Sequence, residues 1–180
     1  MKGIVFTEFL EMVEDVFSPE LADRIITESN LESGGVYTAV GTYPHEDIVA
    51  MVTRLAEITG ADGEALIKAF GAHLFGRFVA LYPGFFSGVS GTFEFLGSIE
   101  DHVHKEVHKL YPDAELPTFH CSYPDANRMI MRYESTRPFA SLAEGLIEGA
   151  IHHWQEPIDV HRDYASDNPG HAVFTLTRRA

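Results

Sequence analysis

The hydrophobic period changes along this chain near Pro112, and that change restricts the fold more than any other feature. Before it, apolar residues recur at helical spacing; after it, they alternate as in strands, interrupted by one further helix. Residues 7–16 carry Phe9, Leu10 and Val13, with Phe17 next in the series. Ser18-Pro19 stops that helix and starts the next, over 19–29, through Leu21, Ile25 and Ile26. Gly34-Gly35 opens a loop, and Val36–Val40 is expected to be extended. Glu46–Thr59 is amphipathic through Ile48, Met51, Val52 and Leu55, with Gly60 placed to end it. Asp62 is an N-cap for a longer helix reaching Leu81, with Leu66, Ile67, Phe70, Leu74, Phe75 and Phe78 as its apolar set; Tyr82-Pro83-Gly84 breaks it. Residues 92–111 read as one further helix.

Beyond Pro112, residues 117–121 and 127–134 alternate, with Met129, Met131 and Tyr133 on one face. Pro138 opens a helix running through Phe139, Leu142, Leu146, Ile147 and Ile151 to Trp154. Strands at 157–163 and 171–178 close the chain around a turn at Asp167-Asn168-Pro169-Gly170. The class is α+β: an N-terminal helical lobe, then a C-terminal lobe with an antiparallel sheet and helices. The expectation is one domain over 1–180, divided into a helical sub-domain at about 1–60 and an α/β sub-domain at about 61–180.

Charge removes several functions. With 13 basic and 27 acidic residues the net charge is −14. Such a surface repels nucleic acid and anionic membranes. No run approaches the ~18 apolar residues of a membrane span. Met-Lys-Gly-Ile-Val-Phe turns acidic too soon for a signal peptide. Cys121 is the only cysteine, which excludes a disulfide framework within the chain and fits a reducing, cytoplasmic setting. Thirteen Phe residues are enough to line a large apolar cavity.

Two patterns carry chemistry. The segment His102-Val-His104-Lys-Glu-Val-His108 packs three imidazoles into seven residues. On a helix, His104 and His108 lie about 40° apart around the axis, whereas His102 points about 200° from His104. The pair can clamp a zinc ion with Glu100 as a further ligand, one imidazole can hold a cofactor iron, or all three can be solvated. The apolar stripe Leu96, Val103, Val107 and Leu110 does not decide which histidine faces a cavity. The second pattern is Tyr133-Glu-Ser135-Thr-Arg137, between a strand and a helix. A phenol, a hydroxyl and a guanidinium on one side suit a pair of carboxylates or a phosphate; the plain alternative is a strand end with an exposed Arg. Together, an imidazole beside an apolar cavity and a cationic cluster describe the two ends of haem.

With these residues the chain resembles the haem nitric oxide/oxygen-binding family, H-NOX, which includes the haem domain of soluble guanylate cyclase. The likeness runs from Met1-Lys2-Gly3 through Tyr82-Pro83-Gly84-Phe85-Phe86, Leu110-Tyr111-Pro112 and the Tyr-x-Ser-x-Arg motif to Gly145-Leu146-Ile147-Glu148-Gly149. It implies haem b between the two lobes, His104 as the iron's axial ligand, and Tyr133, Ser135 and Arg137 on the propionates. It also implies that Pro117 presses on the macrocycle, and that His102 and His108 are solvated neighbours. Family members that hold O2 use a distal tyrosine, supported by Asn and Trp; the matching positions here are Leu142, Leu74 and Phe9. With Val5, Phe78 and Leu146 they make an apolar wall.

The resemblance therefore implies a ferrous sensor that binds NO and CO, excludes O2 and catalyses nothing. Its signal is rupture of the Fe–His104 bond, passed to a separate histidine kinase or cyclic-di-GMP enzyme. Some members carry a cysteine-rich zinc site; here His161 is the one residue that compares with a ligand, and no such zinc is expected. Cys121 is expected to be a packed or half-exposed thiol. The rivals are a haem enzyme, which wants distal His or Arg, a structural zinc protein, and an O2 sensor using Tyr37 or Tyr43.

Overall fold

Local signals account for most element boundaries in the computed structural model, which describes residues 1–164 and 170–179. Helix α1 (Gly3–Val16) buries Phe6, Phe9, Met12 and Val13 along one stripe. It starts four residues ahead of the expected 7–16, because Lys2 pairs with Thr42 in an isolated antiparallel bridge and Gly3 N–H donates to the Gly41 carbonyl at 2.8 Å. Helix α2 (Pro19–Glu28) is capped by Ser18, whose hydroxyl accepts from Leu21 N–H at 3.2 Å. Helix α3 (His45–Thr59) ends at Gly60 with φ 72°. Asp62 caps α4 (Gly63–Leu81), accepting from Ala65 N–H at 2.8 Å. A single 3₁₀ turn at Pro83–Phe85 follows.

Two expectations are corrected here. Residues 36–40 form no strand, and Val36 and Val40 are exposed. The buried Asp47 carboxylate instead accepts from Glu32 N–H, Ser33 N–H and Tyr37 O–H at 2.9, 3.2 and 3.0 Å, which pins the segment as a loop. The expected single helix over 92–111 is three pieces: α5 (Thr92–Ser98), a π-helical turn at Ile99–Val103, and α6 (His104–Leu110). The wider turn closes with His104 N–H bonding to the Ile99 carbonyl.

The strands β1 (Thr118–Asp125), β2 (Arg128–Glu134), β3 (Ile158–Tyr164) and β4 (His171–Arg178) form one antiparallel sheet in the order β1-β2-β4-β3. Met129, Met131 and Tyr133 pair with Leu176, Phe174 and Ala172, and all six are buried. Helix α7 (Ala140–Trp154) starts two residues beyond Pro138. Of the expected turn at 167–170, residues 167–169 lie outside the described residues; the Gly170 carbonyl accepts from Ser135 N–H at 2.9 Å.

The architecture is α+β, as the change of period implies. One core joins the sheet to α7 through Phe174, Leu176 and Ile147; the other joins α1, α2 and α3 through Phe6, Phe9, Ile25, Met51 and Leu55. Helix α4 serves both, giving Phe70 and Leu74 to the helical core and Phe75 to the sheet core. It crosses α7 closely at Gly71 and Gly145: a Cβ on Gly145 would lie 2.0 Å from the Lys68 carbonyl oxygen. Beside this crossing, Lys68 pairs with Glu144 and Glu148 at 2.8 Å each. Arg77 ties α4 to α1 through the buried Glu8.

Candidate functional site

Between the two cores lies a cavity of about 410 Å³, within the roughly 300–1,000 Å³ of ordinary ligand pockets. Its wall is mostly apolar, and every lobe contributes. Ile4 and Val5 come from α1, Leu74 and Phe78 from α4, and Leu142 and Leu146 from α7; Val103 and Val107 flank His104, and Pro117 and Phe119 enter from the start of β1.

His104 is the one histidine that lines this cavity. Its side chain is 14% exposed, while His102 and His108 are exposed. Its Nδ1 lies 3.0 Å from Glu100 Oε1, and the same oxygen accepts Phe119 N–H at 2.8 Å. A carboxylate already accepting from a backbone amide also accepts from the ring. Nδ1 therefore carries the proton and Nε2 keeps its lone pair. Burial lowers the His104 pKa, opposed by the Glu100 charge. The result is a neutral imidazole, the form a metal ion takes.

The zinc arrangement considered from sequence does not assemble. Among the described residues no group of three or more His, Cys, Asp or Glu side chains is placed to hold a metal ion. Glu100 is engaged with His104 Nδ1 instead. His161 is exposed, with Nε2 3.2 Å from Asp163. Cys121 Sγ rests 3.8 Å from the Leu96 carbonyl, and burial pushes its thiol up to about 11.

Tyr133, Ser135 and Arg137 are brought together on the cavity. Tyr133 is buried at the end of β2, and burial raises its phenol pKa. Ser135 follows the strand, and its hydroxyl accepts Arg137 N–H at 3.0 Å. The Arg137 guanidinium donates from Nη1 to the Glu115 carbonyl at 3.0 Å and pairs through Nη2 with the Glu115 carboxylate. Lys2 also lines the cavity; its Nζ donates to Thr42 Oγ1 at 2.8 Å and sits 4.6 Å from the centroid of the Tyr111 ring. Two cations thus border an apolar space, and each is paired with a carboxylate that also lines it, Lys2 with Asp113 at 3.8 Å and Arg137 with Glu115. Sequence reasoning missed Lys2, because a lysine beside the first residue carries no periodic signal.

Of the expected distal residues, Val5, Leu74, Phe78, Leu142 and Leu146 line the cavity, and none carries a hydrogen-bond donor on its side chain. Phe9 does not join them. It is fully buried in the helical core, with its ring centroid 5.3 Å from that of Phe70. Helix α1 turns Phe9 inward, while Ile4 and Val5, one turn earlier, face the cavity. Tyr37 stacks on Phe6 and Tyr43 meets it edge-on, and neither lines the cavity. Tyr82 lines it from the C-terminal end of α4, stacked on Phe85 at 5.6 Å.

A neutral imidazole at an apolar cavity, with cations at its border, is the donor set that a flat apolar macrocycle with an anionic edge requires. The residues present therefore fit haem, and the geometry defines a haem-pocket domain. A family model described as Haem-NO-binding matches residues 2–162. The chain belongs to this family, the H-NOX domains, which bind haem and act as gas-sensor domains.

The fold superposes on the unliganded Fe(II) H-NOX protein of K. algicida with a TM-score of 0.93 at 37% identity, covering 100% of this chain and 97% of that one. It matches the solution structure of the IWP-051-bound H-NOX of Shewanella woodyi in the Fe(II)CO state with a TM-score of 0.85 at 36% identity, covering 99% and 95%. An H-NOX protein of S. oneidensis in the Fe(II)NO state shares the fold, with a TM-score of 0.91 at 24% identity over 100% of both chains. No curated protein matches the chain in sequence.

Proposed function

We propose that this chain is a ferrous haem b sensor that binds NO and CO, excludes O2, and signals to a separate enzyme. A histidine kinase or a cyclic-di-GMP enzyme is the kind of partner meant. The observation that carries the gas preference is the donor-free wall of Val5, Leu74, Phe78, Leu142 and Leu146. Bound O2 draws partial negative charge and gains from a nearby donor; NO depends on one much less. The NO and CO states of the Shewanella proteins support the same ligand class.

Haem b, if bound, would supply an iron able to take a diatomic gas, and His104 is the residue that would hold it. His104 offers it a neutral Nε2, already oriented through Nδ1. Arg137, Ser135 and Tyr133 donate to the cofactor's two carboxylates, which calls for Arg137 to exchange Glu115 for them. Pro117, which lines the cavity just before β1, would press on the cofactor's ring. The apolar wall keeps water from the gas side. His104 is carried by α6 directly after the π turn, so a change at its Nε2 would be passed to both, and residues 1–60 would shift as a lobe over the anchoring lobe of 61–180. That two-state shift is the output, and the chain carries out no reaction of its own. Among the described residues no helix is long and apolar enough to cross a membrane. The single cysteine fits a site of action in the cytoplasm.

The test is an absorption spectrum of the ferrous protein in air and then under NO. A Soret band unmoved by air and shifted by NO, with loss of the histidine-ligated signature, is the expected result. An oxygenated spectrum that persists in air refutes the gas preference. The second reading, an O2 sensor, rests on the Tyr82 phenol in the cavity wall; in that case Tyr82→Phe abolishes the oxygenated spectrum.

A further inference from the structure

We propose that Glu100 is a positioning residue for the iron ligand, holding His104 in one tautomer and strengthening the axial bond that Nε2 makes. The inference rests on the haem reading of the site. Three observations carry it.

The first is the shared acceptor. Glu100 Oε1 takes the His104 ring N–H and the Phe119 backbone N–H at 3.0 and 2.8 Å. Two donors on one oxygen fix the carboxylate in place, and the fixed carboxylate then fixes the ring. The second is the backbone. Glu100 lies inside the π turn Ile99–Val103, and His104 is the first residue beyond it. The turn presents Glu100 to the ring and to β1 at once. The third is the ring's setting. The Phe119 ring centroid is 5.9 Å from that of His104, so the strand that holds the carboxylate also walls the imidazole.

An anionic acceptor on Nδ1 draws the ring proton toward itself and makes Nε2 a stronger donor to a metal. The Glu100 side chain is 38% exposed, so water weakens this effect without removing it. For a sensor whose output is release of His104, the carboxylate opposes release. It also leaves the freed imidazole tied to β1 rather than loose.

The experiment is resonance Raman spectroscopy of the ferrous, gas-free holoprotein in the iron–histidine stretching region. Wild type, Glu100→Gln, Glu100→Ala and His104→Gly are compared, with NO-driven loss of histidine ligation followed by stopped flow. Gln keeps the shape and loses the charge, so it carries the test even if the Ala variant folds poorly. The expected result is a stretch falling in frequency from wild type to Gln to Ala, with faster histidine loss in the same order. A His104-dependent stretch unmoved in both Glu100 variants overturns this inference alone. A wild-type spectrum with no His104-dependent stretch overturns the ligand assignment beneath it.

Discussion

Replacing Gly145 by alanine puts a methyl group 2.0 Å from the Lys68 carbonyl oxygen and 2.9 Å from the Gly71 Cα. A relaxed carbon–oxygen contact is about 3.3 Å or more, so α4 and α7 must part by about 1 Å. Neither obstacle is a side chain that can swing aside. Overpacking of this kind costs about 1–3 kcal/mol. For a domain of this size each kcal/mol lowers Tm by about 2–4 °C, so Gly145→Ala should melt about 2–12 °C below wild type. The same parting separates Leu74 and Phe78 from Leu142 and Leu146, so the variant should also lose haem faster. Gly76→Ala is the control. Gly76 sits exposed within α4 with nothing within 4 Å of an added Cβ, and helix propensity favours Ala by about 0.8–1 kcal/mol. Thermal melts of both holoproteins by circular dichroism check the pair. A Gly145→Ala protein that melts at or above wild type, beside a stabilised Gly76→Ala, would refute the close crossing.

Leu142→Tyr places a phenol on the apolar wall and should give a ferrous spectrum that changes in air; an unchanged spectrum contradicts the donor argument. Cys121, with its thiol pushed up to about 11, should react with iodoacetamide at pH 8 at least ~100-fold more slowly in the native protein than in urea, because the thiolate is the reactive form; equal rates would place the thiol in water. Burial raises the Asp47 pKa, but hydrogen bonds from Ser33, Glu32 and Tyr37 outweigh it and hold the carboxyl below its ordinary 3.8. A depressed carboxyl stabilises above its unfolded value and loses that contribution as pH falls through the folded one. Asp47→Asn should therefore cost about 1–3 kcal/mol at pH 7, and denaturation curves should show the gap narrowing below about pH 4. A gap constant from pH 7 to pH 3 would contradict the assignment.

Periodicity and caps made most of the fold legible. Ser18, Gly60 and Asp62 mark helix ends because their side chains or φ angles satisfy backbone groups locally. Met129, Met131 and Tyr133 share a face because strand geometry alternates. What stayed illegible depends on partners distant in sequence. Val36–Val40 has strand-like residues, but Asp47, from α3, takes the loop's amides. Phe9 looks like a wall residue until α1 is seen to turn it toward Phe70. In the site, Tyr133, Ser135 and Arg137 converge as a short motif can show. The four-residue spacing of Glu100 and His104 was visible too. Its meaning was not, because the π turn and the Phe119 amide that complete it come from a backbone irregularity and from another element.

Whether His104 holds haem iron in the inter-lobe cavity is decided by one titration. Haem-free protein is titrated with ferrous haem, for wild type and His104→Gly, and the bound spectrum is read with and without added imidazole. The expected result is one haem per chain in wild type with a histidine-ligated spectrum. That spectrum should be lost in His104→Gly and restored by imidazole. An identical histidine-ligated spectrum in the variant without imidazole, or no stoichiometric uptake by wild type, would contradict this reading.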